Sequence, residues 1–155
     1  MPPALAELIV FFEPLPEGAR RENLIALAGS VESHAPREGE RFDIADVRRD
    51  AECSDEVGIF LRAEPDGAAH FAVSLGPRVQ TLTRAMAALL CRGLEGAALD
   101  EVLALREDFV PRIVGAELVR LRSRTVYYML ARMQEAARRC REITAPRSSP
   151  SAGRS

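Results

Sequence analysis

Apolar residues fall at helical spacing toward both ends of this chain and alternate in a short stretch between them. Leu5, Leu8, Ile9 and Phe12 share one face of a short amphipathic helix that stops near Pro14. A second helix is predicted from Glu17 to Leu27, with Leu24, Ile25 and Leu27 apolar and Gly29 just past its end. Residues 30–41 mix Pro36, Gly39 and charges and read as a loop.

Phe42, Ile44 and Val47 then form a short extended run, and Val57 to Ala63 a stronger strand. Pro65-Asp66-Gly67 is a turn signal, after which His70 to Ser74, with Phe71 and Val73 alternating, returns as a hairpin partner. Asp50 to Glu56, which carries Cys53, is the expected loop between the first two strands. Helical spacing resumes with Val79, Leu82, Met86, Leu89 and Gly93 on one face. A short helix over Asp100 to Leu105, a loop around Pro111 and a long last helix through Val126, Met129, Leu130, Met133, Ala137 and Cys140 complete the pattern. The expected fold is α+β: a small three-stranded antiparallel sheet with helices packed on one side. One domain is expected over residues 1–143. Residues 144–155, rich in Ser, Pro, Gly and Arg, are expected to be a disordered tail.

Composition narrows the chemistry. A chain of 155 residues with 47% hydrophobic and 28% charged residues can bury a core without metal or disulfide staples. Its longest apolar runs are too short to span a bilayer, and Met1-Pro2-Pro3 lacks the basic start of a secretory signal, so a cytoplasmic location is expected. Cys53, Cys91 and Cys140 are odd in number and widely spaced, which argues against a disulfide framework. With no CxxC pair and only His34 and His70 to add imidazoles, no metal site is expected. The chain has no lysine, so it can form no Schiff base with pyridoxal phosphate and carries no Walker A lysine. Arg112, Arg120, Arg122, Arg124, Arg132, Arg138, Arg139 and Arg141 crowd the last third. They read first as a solvated helix face, because the net charge is −2 and basic and aromatic residues do not alternate along the run.

Cys53 is the candidate for chemistry. It sits among polar neighbours, Ala-Glu-Cys-Ser-Asp-Glu, outside any apolar period, and reads as an exposed loop thiol. Such a thiol is only a few per cent ionised at neutral pH, and Glu52, Asp55 and Glu56 would raise its pKa further. That suits a thiol that meets an already activated sulfur better than a self-activated nucleophile. Cys91, after Leu89-Leu90, and Cys140, on an apolar stripe near a helix end, read as structural. His70 reads as a solvent-face strand residue, and no nucleophile elbow or phosphate-cradling loop is present.

The order of these features resembles the SufE (Fe–S metabolism-associated) family over Leu5 to Arg141. The matching segments are Glu52-Cys53-Ser54-x-x-Val57, the Asp66-Gly67 turn and the strand His70-Phe71-Ala72-Val73. They continue with Thr81-Leu82-Thr83-Arg84-Ala85, Leu94-Glu95-Gly96, Asp100-Glu101-Val102-Leu103 and Phe109. Last comes Leu121-Arg122-Ser123-Arg124, ahead of Met129-Leu130-Ala131-Arg132-Met133. The resemblance implies an accessory protein that accepts persulfide sulfur on Cys53, stimulates a cysteine desulfurase and supplies iron–sulfur cluster assembly. Cys53 would be the acceptor and Arg122 the family's arginine near the start of the last helix. The implied donor is a Suf-type, pyridoxal-phosphate-dependent desulfurase and the recipient an iron–sulfur scaffold. No cofactor of its own, no nucleic acid and no membrane are expected, and a homodimer is allowed.

The chain departs from the family pattern at four places. Glu52 stands where many members have glycine, Gly58 where an aromatic is frequent and Ala85 where a glycine is usual. No acid appears in Gly76-Pro77-Arg78-Val79, ahead of the third large helix. These departures keep a second function in view, a docking domain that retains the fold without transferring sulfur. A third, nucleic-acid binding through the arginine-rich last helix, would show itself by steep salt dependence.

Overall fold

A computed structural model describes residues 1–50 and 53–144. Helices α1 (Pro3–Phe12) and α2 (Glu17–Gly29) lead through a 3-10 turn at Val31–His34 into the sheet. Strands β1 (Ile44–Asp50), β2 (Asp55–Ala63) and β3 (Ala69–Leu75) form an antiparallel meander in the order β1-β2-β3. Helices α3 (Thr81–Gly93), α4 (Leu99–Ala104), α5 (Val110–Val114) and α6 (Ala116–Thr144) follow. This is the expected α+β architecture.

Register decides which side chains meet the helices. Ile44 pairs with Leu61, Asp46 with Ile59, Arg48 with Val57 and Asp50 with Asp55. Across the next ladder Val57 pairs with Leu75, Ile59 with Val73 and Leu61 with Phe71. Because strand side chains alternate, these residues all lie on one face. Val57, Ile59, Leu61, Phe71 and Val73 there are buried with Met86, Leu89 and Leu90 of α3 and Met129 and Met133 of α6. The other face carries Phe42, Phe60, Arg62 and His70, with Phe42 stacked on His70 at 6.4 Å. The β2–β3 turn closes on Gly67 at φ +86°, a conformation that glycine adopts without steric penalty.

The inner face of β1 is polar toward its end: Asp46, Arg48 and Asp50 follow the buried Ile44. Helix α6 answers with a polar stripe at helical spacing, Tyr128, Arg132, Glu135 and Arg139. Arg48 bridges Asp46 at 2.9 Å and Glu135 at 2.8 Å. Arg132 and Arg139 both reach toward the Asp46 carboxylate. The sheet therefore packs on α6 through an apolar half and a charged half.

Three expectations change. Pro111 does not lie in a loop: it occupies the first turn of α5, where a missing N–H costs no hydrogen bond. The segment carrying Cys53 is shorter than Asp50 to Glu56, because pairing runs to Asp50 and restarts at Asp55. The short helix ends at Ala104 rather than Leu105. Thr144 closes α6, and the rest of the expected tail lies outside the described residues. No helix among the described residues is long and apolar enough to cross a membrane.

Candidate functional site

The β1–β2 turn is held from both sides. The Cys53 N–H donates to Asp50 O at 3.1 Å, and Ser54 takes the left-handed conformation, φ 62°. The Asp55 carboxylate accepts the Glu56 N–H at 2.7 Å and, across the sheet end, the Arg78 N–H at 2.8 Å. These amides, Arg78 first, hold its pKa below the usual carboxylate range. Gly76 allows the approach, since a Cβ there would lie 2.3 Å from the Asp55 carboxyl carbon. Arg84 then donates to Gly76 O at 2.6 Å and Val79 O at 3.0 Å. The turn bearing Cys53 and the loop opening α3 are thus tied into one unit.

Cys53 itself is not an exposed thiol. It is 2% accessible, tucked under the turn against α3 and α6. Burial pushes its pKa up, and Asp50 adds to that. The Tyr128 and Thr83 hydroxyls and the Arg132 cation act the other way. Of the three acids expected to raise the pKa, Asp55 spends its carboxylate on backbone amides, and Glu52 lies outside the described residues. Desolvation dominates instead, so the resting thiol is protonated and unreactive at neutral pH.

Arg132 is the second unexpected member of the site. Read from sequence as part of a solvated face, it is 4% accessible. One guanidinium nitrogen donates to the Tyr128 hydroxyl, and another to Asp46 O at 2.9 Å and Val57 O at 3.1 Å. The guanidinium also lies 5.7 Å from the centre of the Tyr128 ring. Burial pushes the Tyr128 pKa up, and Asp50 contributes. At neutral pH it therefore carries one proton that it can donate. Thr125, Met129, Arg132 and Ala136 recur at intervals of four, three and four, with Tyr128 one turn before Arg132, a period that the solvated-face reading did not use.

Arg122 lies elsewhere. It sits where α6 departs from helical geometry, φ −134° and ψ 39°, is exposed, and donates to the side chain of Gln80. It lines a groove of about 1310 Å³ between α2, α3 and the start of α6, with Arg20, Arg21, Ile25, Leu82 and Leu121 among its walls. The arginine charge that bears on Cys53 is that of Arg132. Cys91 and Cys140 are sealed in α3 and α6, and burial raises both thiols, Cys91 to about 12. His70 faces Glu95 at 2.9 Å and Glu40 at 3.3 Å on the outer face of the sheet.

Comparison with solved structures finds a hypothetical protein from Thermus thermophilus, 25% identical, with a TM-score of 0.67 over 90% of this chain and 97% of that one. The N-terminal part of a nitrogen-fixing NifU-like protein from Brucella abortus shares the fold at 18% identity, with a TM-score of 0.59 over 78% of this chain and 93% of that one. No curated protein matches the chain. Residues 6–137, from α1 to late in α6 and including the Cys53 turn, match the Fe–S metabolism associated domain, so the chain belongs to the SufE family and to iron–sulfur cluster metabolism.

Proposed function

We propose that Cys53 accepts sulfur from the persulfide of a pyridoxal-phosphate-dependent cysteine desulfurase, stimulates that enzyme, and passes the sulfur toward an iron–sulfur scaffold. One observation carries this reading: of three cysteines, Cys53 alone sits on a turn, where a local movement can release it, while the others are locked within helices. In the transfer step the Cys53 thiolate attacks the outer sulfur of the donor persulfide. A new S–S bond forms, the old one breaks, and the desulfurase thiolate leaves, with no external oxidant or reductant. A thiol 2% accessible cannot meet a protein-bound persulfide, so the turn must swing outward first. Outside the pocket the thiol loses the desolvation that raised its pKa and ionises more readily. Arg122, exposed on the groove rim, is assigned to contact with the partner.

Intact-protein mass spectrometry after incubation with a Suf-type desulfurase and cysteine tests the reading. Reductant-labile sulfur mapped to Cys53 is expected. An unmodified Cys53 beside a fully loaded desulfurase would leave a docking domain in its place.

A further inference from the structure

Arg132 has more donors than the fold uses. Its terminal nitrogens serve Tyr128, Asp46 and Val57, but its Nε–H is buried and finds no acceptor among the described residues. A buried guanidinium donor without a partner is costly, and folded proteins rarely leave one. Beside it the Tyr128 hydroxyl accepts from Arg132 and touches both Asp50 and Cys53. Having a single proton, that hydroxyl donates either to the Asp50 carboxylate or to sulfur. A neutral Cys53 thiol leaves the proton with Asp50. An anionic sulfur would draw it over and would also supply the acceptor that Nε lacks.

We propose that Arg132 and Tyr128 form a holding site for the Cys53 persulfide anion: once loaded, the turn returns inward and the terminal sulfur is bound between the Arg132 Nε–H and the Tyr128 O–H. The site rests on Cys53 being a sulfur acceptor, and it adds the groups that keep the sulfur from being lost. A persulfide S–S–H is more acidic than a thiol, so its terminal sulfur is anionic at neutral pH and gains from charge-assisted hydrogen bonds. The resting thiol, being neutral, gains little. The same pocket therefore keeps the empty protein unreactive and the loaded protein protected. Thr83, buried at the start of α3, completes the wall.

The test loads the full chain without a desulfurase. With inorganic polysulfide, the Cys53 thiolate attacks an outer sulfur, one S–S bond forms and one breaks, and a polysulfide one sulfur shorter leaves. Dithiothreitol then removes the sulfur as hydrosulfide, becoming the cyclic disulfide, and intact mass gives the rate. Alkylation of the unloaded thiol by iodoacetamide measures turn opening alone. In Arg132→Gln the loaded protein should lose its sulfur about tenfold faster than wild type, beyond any change in the alkylation rate, as expected for one lost hydrogen bond to a charged group. Tyr128→Phe, which keeps the ring, should move the same ratio in the same direction. Equal factors for the two rates in a folded Arg132→Gln would make Arg132 a structural support only and overturn the site. If Arg132→Gln does not fold, an unchanged ratio in Tyr128→Phe overturns it alone. Polysulfide loading that depends on Arg132, with no loading by the desulfurase, would remove the proposed donor and leave the holding site standing. No stable persulfide from either source would remove both.

Discussion

A closed resting state has a measurable consequence: native Cys53 should alkylate slowly, yet faster than its two sister cysteines. Opening the turn exposes a small apolar side chain, roughly 1–2 kcal/mol. It also breaks the Cys53 N–H bond to Asp50 O and the contacts with Tyr128 and Thr83, together roughly 2 kcal/mol. Backbone freedom regained by the turn offsets about half of the sum. A net opening free energy of about 2 kcal/mol leaves roughly one molecule in 30 open. Iodoacetamide should therefore modify Cys53 roughly 30-fold more slowly in the native chain than in urea, at one pH and reagent concentration. Cys91 and Cys140, at 2% and 0% accessibility within α3 and α6, open only with larger unfolding and should stay unmodified until Cys53 is complete. Peptide mapping over time separates the three. A native Cys53 that reacts at the unfolded rate, or after Cys91, would refute the closed turn and the gating that follows from it.

Gly76→Ala forces a methyl against the bonded Asp55 carboxyl and should lower the urea midpoint, by about 1–3 kcal/mol of stability. It should also speed Cys53 alkylation, because the turn and the α3 loop lose their shared tie; an unchanged alkylation rate would argue against that coupling. His34 gives a pH dependence: burial, then Arg92, holds its pKa below the ordinary 6.5. The unfolded chain then binds a proton that the folded chain resists, so His34 subtracts stability as pH falls through about 6.5 and nothing well above it. Urea midpoints at mildly alkaline and mildly acidic pH should diverge less in His34→Gln than in wild type. A second loss of stability should follow at lower pH, where Glu40 and Asp55, whose pKa values the fold lowers, take up protons. Arg122→Ala should leave stability and Cys53 alkylation as they are and weaken desulfurase binding; faster alkylation instead would make Arg122 a support of the thiol pocket.

Much of the fold was legible because it is local. The apolar period placed α1, α2, α3 and α6, and Pro65-Asp66-Gly67 placed the hairpin, since helix faces and turn conformations depend on residues a few positions apart. The helix at Pro111 was missed because a proline breaks a helix anywhere but in its first turn, and the pattern around it was too short to show where that turn begins. Cys53 could be picked out by its polar surroundings, but those same neighbours suggested exposure. Only packing buries it, when α3 and α6 close over a turn whose own residues carry no apolar signal. The different settings of Arg122 and Arg132 are likewise tertiary. Both lie on α6, but Arg122 falls at the break in helical geometry and stays in solvent. Arg132 lies one turn beyond Tyr128, opposite the polar inner face of β1. Sequence determined which residues share a face of each element; the register of the sheet against α6 decided which faces meet, and with them which arginine is buried against β1 and Tyr128.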